Sequence, residues 1–190
     1  MEIEFIEAGH IYLVDGVITP SVSEILNFIF PGEYSSIPAA ILAQKAEFGT
    51  HIHQAIEDFE NGKEPKLTPL ERVTFNDYLM LKERHNIQPI IQEEIIAYGD
   101  EFCGRLDAIS MVDGEECLID YKTTAELKCE RLAWQLGMYQ LAKGKTYAKC
   151  YCIWLPKNQV GKLVEIKAKT KEEIIEMLER YKRWKNEGNR

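Results

Sequence analysis

No stretch of this chain approaches the ~20 consecutive apolar residues that span a bilayer, so no membrane partner is expected. The opening, Met1 to His10, is acidic and mixed, without the basic start and apolar core of a secretory signal. The expected location is the cytoplasm. Cysteine is sparse and odd in number, five residues at positions 103, 117, 129, 150 and 152, which argues against a disulfide framework. Walker and Rossmann phosphate loops are absent, and no serine sits in a G-x-S-x-G setting. No local signature supports a cysteine nucleophile. There is no internal repeat, low-complexity tract or linker long enough to divide the chain.

What is present reads as an ordinary globular protein. Its 190 residues are 45% hydrophobic and 28% charged, enough for one domain. The net charge of −8 is unevenly spread. Residues 1–121 hold 7 basic against 23 acidic side chains, and residues 122–190 hold 16 against 8. A basic half can bind phosphates while an acidic half holds cations.

Hydrophobic spacing outlines the elements. Ile3, Phe5, Ile11 and Leu13 alternate and end at Asp15-Gly16, a hairpin signal. Ser21 opens a short helix over 22–30, a longer one runs over about 37–59, and Thr68-Pro69 opens a third through about His85. The period then changes. Residues 90–97, 102–111 and 117–121 predict an antiparallel meander, followed by a helix over 130–142, strands over 147–155 and 163–167, and a last helix over 171–185. The expected fold is α/β (α+β), a central mixed sheet flanked by helices in one domain over 1–190. Within it an N-terminal hairpin and helical region (1–88) packs on a core of 89–190.

The sharpest motif is Leu118-Ile119-Asp120-Tyr121-Lys122. On a strand Asp120 and Lys122 share one face, with Ile119 and Tyr121 on the other. Upstream, Gly104-Arg105-Leu106-Asp107 sets a second carboxylate in the preceding strand, which a short meander can bring beside Asp120. Two converging carboxylates suit Mg²⁺ or Mn²⁺, and a lysine beside them can orient a metal-bound water. Three further signals accompany them. His53 lies on the long helix, one of Glu93 and Glu94 must face the Asp107 side, and Gln135 and Tyr139 stand one turn apart on the helix after Lys122. Each alone is ordinary. An Asp–Lys pair, a packed histidine and helix surface explain them as well.

Taken in order, Gly49-Thr50-His51-Ile52-His53, an upstream glutamate, the Gly104–Asp107 run, Asp120-Tyr121-Lys122 and the Gln135/Tyr139 helix resemble the motif series of the PD-(D/E)XK nuclease superfamily, in its RecB-like, phage-type exonuclease branch. The opening His10-Ile11-Tyr12, Asp15-Gly16 and Pro20-Ser21 also resembles phage and prophage members. The resemblance implies a restriction-endonuclease-like core, with His53, Glu94, Asp107, Asp120 and the Tyr121 carbonyl as metal ligands; Glu93 is the alternative to Glu94. It implies Asp107, Asp120, Lys122, Gln135 and Tyr139 as catalytic residues, with Gln135 and Tyr139 on the DNA strand. Some relatives hold an iron–sulfur cluster on four cysteines, one early and three late. Here no cysteine precedes Cys103 or follows Cys152, so none is expected, and Cys150 and Cys152 are expected in the core.

The function so implied is a Mg²⁺- or Mn²⁺-dependent exonuclease on linear DNA ends in phage recombination or repair. Lys128, Arg131, Lys143, Lys145, Lys149 and Lys157 are candidate phosphate contacts. A homo-oligomer, or a single-strand annealing or recombination protein, is a candidate partner. The alternatives are a structure-selective endonuclease of the same fold and a non-cutting DNA- or protein-binding accessory.

Overall fold

Asp15 and Gly16 both adopt left-handed backbone, φ 48° and 80°, the geometry with which a two-residue loop follows the twist of its strands. They join β2 (Ile11–Val14) to β3 (Val17–Thr19), while β1 (Ile3–Ile6) pairs along the other side of β2. The expected hairpin is therefore a three-stranded antiparallel sheet, its last strand too short to show a period. The computed structural model describes residues 1–188.

Helix α1 (Val22–Ile29) starts where the Ser21 side chain accepts the Glu24 backbone N–H. Helix α2 spans Ala39–Glu60, and α3 (Pro69–Arg84) opens on a reciprocal Thr68–Glu71 capping box. Strands β4 (Gln88–Tyr98), β5 (Phe102–Val112), β6 (Glu115–Lys122), β7 (Lys149–Trp154) and β8 (Lys162–Glu165) form a second sheet in sequential order. All neighbours are antiparallel except β6 and β7, which are parallel. A parallel pair needs a crossover, supplied by α4 (Cys129–Lys143), which ends at the left-handed Gly144. Helix α5 (Lys171–Asn186) opens on a Thr170–Glu173 capping box. The described residues form a mixed α+β fold with two sheets and five helices, and each predicted element falls within a few residues of an observed one.

The larger sheet buries apolar side chains on both faces. Leu106, Ile109, Leu118, Cys150 and Cys152 pack with α1, α4 and α5. Ala108, Cys117, Ile119, Tyr121 and Ile153 pack with α2 and α3. Alternation along β6 thus sends Ile119 and Tyr121 toward α2 and α3 and leaves Asp120 and Lys122 for α4, as the pattern predicts. The small sheet docks through Tyr12 and Val14 on Ala97 and Cys103. No described helix is long and apolar enough to cross a membrane.

Candidate metal centre

The paired register of β5 and β6 stops at Ala108↔Ile119. Beyond it the strands part, and a side chain takes the place of the ladder: Asp107 Oδ2 accepts the Tyr121 backbone N–H at 2.7 Å. Asp107 therefore lies against the peptide that joins Asp120 to Tyr121. Asp120 is fully buried. Its oxygens stand 2.7 and 2.6 Å from Lys122 Nζ, and Oδ1 also accepts from Gln135 Nε2 at 2.9 Å. Oδ2 has no aligned hydrogen bond. Gln135 Nε2 reaches the Tyr139 hydroxyl at 3.0 Å, and that hydroxyl donates to the Arg105 carbonyl at 2.8 Å. Gly104 makes the approach possible, since a Cβ there would meet Tyr139 Cε1 and Val22 Cγ2, each at 2.9 Å.

On the α2 side, His53 Nε2 stands 3.0 Å from the Tyr121 carbonyl. A carbonyl only accepts, so Nε2 carries the hydrogen. Nδ1 then faces Glu93 Oε1 and Asp107 Oδ1, each at 3.8 Å. One ligand atom from each of His53, Glu93 and Asp107 lies within 4.8 Å of the others. Glu93 is the acid that reaches the cluster. Glu94, the acid preferred on sequence spacing, turns away to Lys143, whose Nζ donates to its oxygens at 3.0 and 2.8 Å. The reason is register. With Tyr98 opposite Phe102 and Glu94 opposite Leu106, Glu93 falls opposite Asp107, and counting outward from the turn would have found it. Glu93 also has φ 49°, a conformation uncommon for a non-glycine residue, and its Oε2 stands 4.0 Å from the Arg105 guanidinium.

The charges are interdependent. Burial pushes the Asp120 carboxyl up to about 6, against the pull of Lys122 and with the repulsion of Asp107. For Lys122 burial opposes the charge, yet Asp120 and Asp107 outweigh it and raise its pKa. Burial likewise works against a charged His53, but Asp107 and Glu93 raise it overall. Burial, then Asp107, raises Tyr139, which stays a neutral donor.

An imidazole lone pair aimed at two carboxylates calls for a cation between them, a proton or a metal. Two carboxylates and an imidazole fit Mn²⁺, and with more reluctance Mg²⁺. The two His53–carboxylate separations of 3.8 Å are inside the roughly 4.2 Å that two ligands of one ion can span at ~2.1 Å each, and all three ligand atoms lie within 4.8 Å of one another. Asp120 and the Tyr121 carbonyl, also expected as ligands, border this cluster but are engaged by Lys122 and Gln135 and by His53, respectively.

The expected phosphate contacts are mostly neutralised. Lys128 pairs with Glu126 at 2.8 Å, Lys145 with Glu116 at 2.7 Å, Lys149 with Glu115 at 3.4 Å, and Lys143 with Glu94. Arg131 is tied to Glu33 at 3.2 Å, to Asn27 at 2.9 Å and to the Leu26 carbonyl at 3.3 Å. Its part is structural, which its position on a charged helix did not reveal. Lys157 lies over the Phe48 ring, 3.8 Å from its centre. Exposed pairs are worth only ~0–1 kcal/mol, so these partners hold the lysines weakly.

No protein-family model matches the chain, and no curated protein does. Among solved structures it is similar to the crystal structure of SSO0001, with 19% identity and a TM-score of 0.45 over 85% of this chain and 73% of that one. So distant a likeness fixes neither fold family nor chemistry.

Proposed function

We propose that the chain is a divalent-metal-dependent DNA exonuclease built on a restriction-endonuclease-like core. The meeting of His53, Glu93 and Asp107 in one cluster, with Asp120 and Lys122 across the Tyr121 peptide from Asp107, carries this reading. His53, Glu93 and Asp107 would hold Mg²⁺ or Mn²⁺, and Asp120 would join them as Lys122 turns to substrate. When bound, such an ion acts as a Lewis acid on the phosphate and lowers the pKa of a bound water toward 7. Lys122 would orient an attacking water and offset charge growing on the phosphate oxygens. Gln135 holds the Asp120 carboxylate, and Tyr139 holds Gln135.

The test is end-labelled linear DNA with Mg²⁺ or Mn²⁺. Metal-dependent release of nucleotides from ends, absent on covalently closed circles and abolished in Asp107→Asn, is expected. Cutting of circles at a similar rate would indicate an endonuclease. No cutting of any DNA, with folded protein and metal bound, would leave a non-cutting accessory.

A further inference from the structure

The small N-terminal sheet is apolar on both faces and covered on one. Its register sets Glu4 opposite Leu13, Leu13 opposite Ile18, and Ile6 opposite Ile11. Because successive residues of a strand point to opposite faces, these five share one side. Tyr12 and Val14, with Ile3 and Phe5 beside them, take the other and pack on Ala97 and Cys103. On the open side Ile6 is 38% and Ile18 72% exposed, while Ile11 and Leu13 are half-buried. None of these four aliphatic residues belongs to a packed core among the described residues. A sheet buries an apolar face against a second layer, and aliphatic side chains adjoining one another in the open mark an interaction site more than scattered ones do.

Charge decides what can cover this face. Residues 1–21 carry Glu2, Glu4, Glu7 and Asp15 and neither lysine nor arginine. No ion pair among the described residues reaches these carboxylates, and Asp15 accepts the Glu2 backbone N–H at 2.8 Å. Such a rim repels a nucleic acid and an anionic bilayer. A second copy laid face to face would set carboxylates against carboxylates. The occupant that takes the aliphatic side chains out of water and also matches the rim is a polypeptide with an apolar stripe between lysines or arginines.

We infer that the open face of the N-terminal sheet docks a basic amphipathic helix of another protein, its apolar stripe over Ile6, Ile11, Leu13 and Ile18 and its cations toward Glu4 and the neighbouring acids. The position also sets that partner near the metal cluster. The Arg105 guanidinium lies over the Phe5 ring on the covered face, 4.8 Å from its centre, and stands 4.0 Å from Glu93 Oε2. A helix on the open face is thus one sheet layer behind a member of the cluster. Docking needs neither metal nor nucleic acid, so it stands or falls apart from the nuclease reading.

The probe is a fluorescein-labelled helical peptide of about eighteen leucines and lysines, with leucines spaced to form one apolar stripe. It is titrated with the full chain and followed by anisotropy, beside a peptide in which glutamate replaces lysine. Saturable one-to-one binding of the lysine peptide alone is expected. Ile18→Asp should weaken it roughly tenfold, the scale of one aliphatic side chain's burial, although it adds negative charge. That sign separates docking from bare attraction, which Ile18→Asp would strengthen. Glu4→Lys should also weaken binding and flatten its dependence on salt, and it carries the test if Ile18→Asp melts early. Val160→Asp, at an aliphatic residue 68% exposed before β8, should change nothing. Unchanged or tighter binding in Ile18→Asp, or an equal loss in Val160→Asp, would overturn the docking surface. So would binding to phosphatidylglycerol vesicles or to DNA, or self-association in sedimentation, that Ile18→Asp abolishes, since each gives the face another occupant.

Discussion

Asp107 accepts the Tyr121 backbone N–H at 2.7 Å, a bond between a side chain of one strand and the main chain of the next at the point where their ladder ends. It sets the first acid of the site against the peptide that carries the second acid and the lysine. Removing the Asp107 carboxylate therefore takes away a cluster member and the clamp on β6 together.

Asp120 and Lys122 depend on each other unequally. Lys122→Ala leaves a fully buried carboxylate without its counter-charge, a change that costs roughly 3 kcal/mol, whereas Asp120→Asn leaves a half-buried lysine that can turn to solvent. Chemical denaturation should rank the double variant Asp120→Asn/Lys122→Ala above Lys122→Ala alone. Additive losses would mean that the pair is not coupled.

Glu93 and Glu94 are neighbours with different duties. Calorimetric titration with Mn²⁺ should show Glu93→Gln weakening binding by tenfold or more. Glu94→Gln should keep wild-type affinity and lose at most ~1 kcal/mol of stability with its Lys143 pair. Equal effects would remove Glu93 from the cluster.

Acidity should act on the metal-free chain in a defined direction. His53 and Asp120 both bind protons more tightly folded than unfolded. Protonation thus favours the fold. For Asp120 that stability is complete below about 4, its unfolded value, and is lost as pH rises through about 6. For His53 it is complete below the ordinary histidine value of ~6.5 and is lost above that, through the raised one. The melting temperature without metal should fall from pH 5 to pH 8, more in the wild type than in Asp120→Asn. Because Mn²⁺ must displace these protons, its stabilising effect should be larger at pH 8 than at pH 5. Thermal melts at both values decide it, and a larger metal effect in acid would reverse the assignment.

Gly104→Ala should push Tyr139 and Val22 aside, since the new methyl meets each at 2.9 Å. Overpacking of this kind costs about 1–3 kcal/mol. On the proposed nuclease reading, it should also loosen the Gln135–Tyr139–Arg105 chain and lower kcat more than affinity for DNA. Wild-type stability and kcat in this variant would show that the contact is soft.

The elements were legible because their signals are local: Ser21, Thr68 and Thr170 cap helices, and alternation in β6 sorts Asp120 from Ile119. Asp107 and Asp120 could be placed near one another because a tight turn joins their strands. The choice between Glu93 and Glu94 failed because spacing along one strand cannot give pairing with the next. Only the register set by the turn at Gly99 does that. The neutralised lysines were hidden for a related reason. Glu94 and Glu116 lie 49 and 29 residues from Lys143 and Lys145, distances at which composition counts charges without pairing them.

Four of the five thiols, Cys103, Cys117, Cys150 and Cys152, are buried, and Cys129 alone is exposed. It begins α4, directly after the N-cap Lys128. The native chain thus offers a single attachment point for a maleimide dye at the start of the crossover helix, and that helix could be followed without engineering a label.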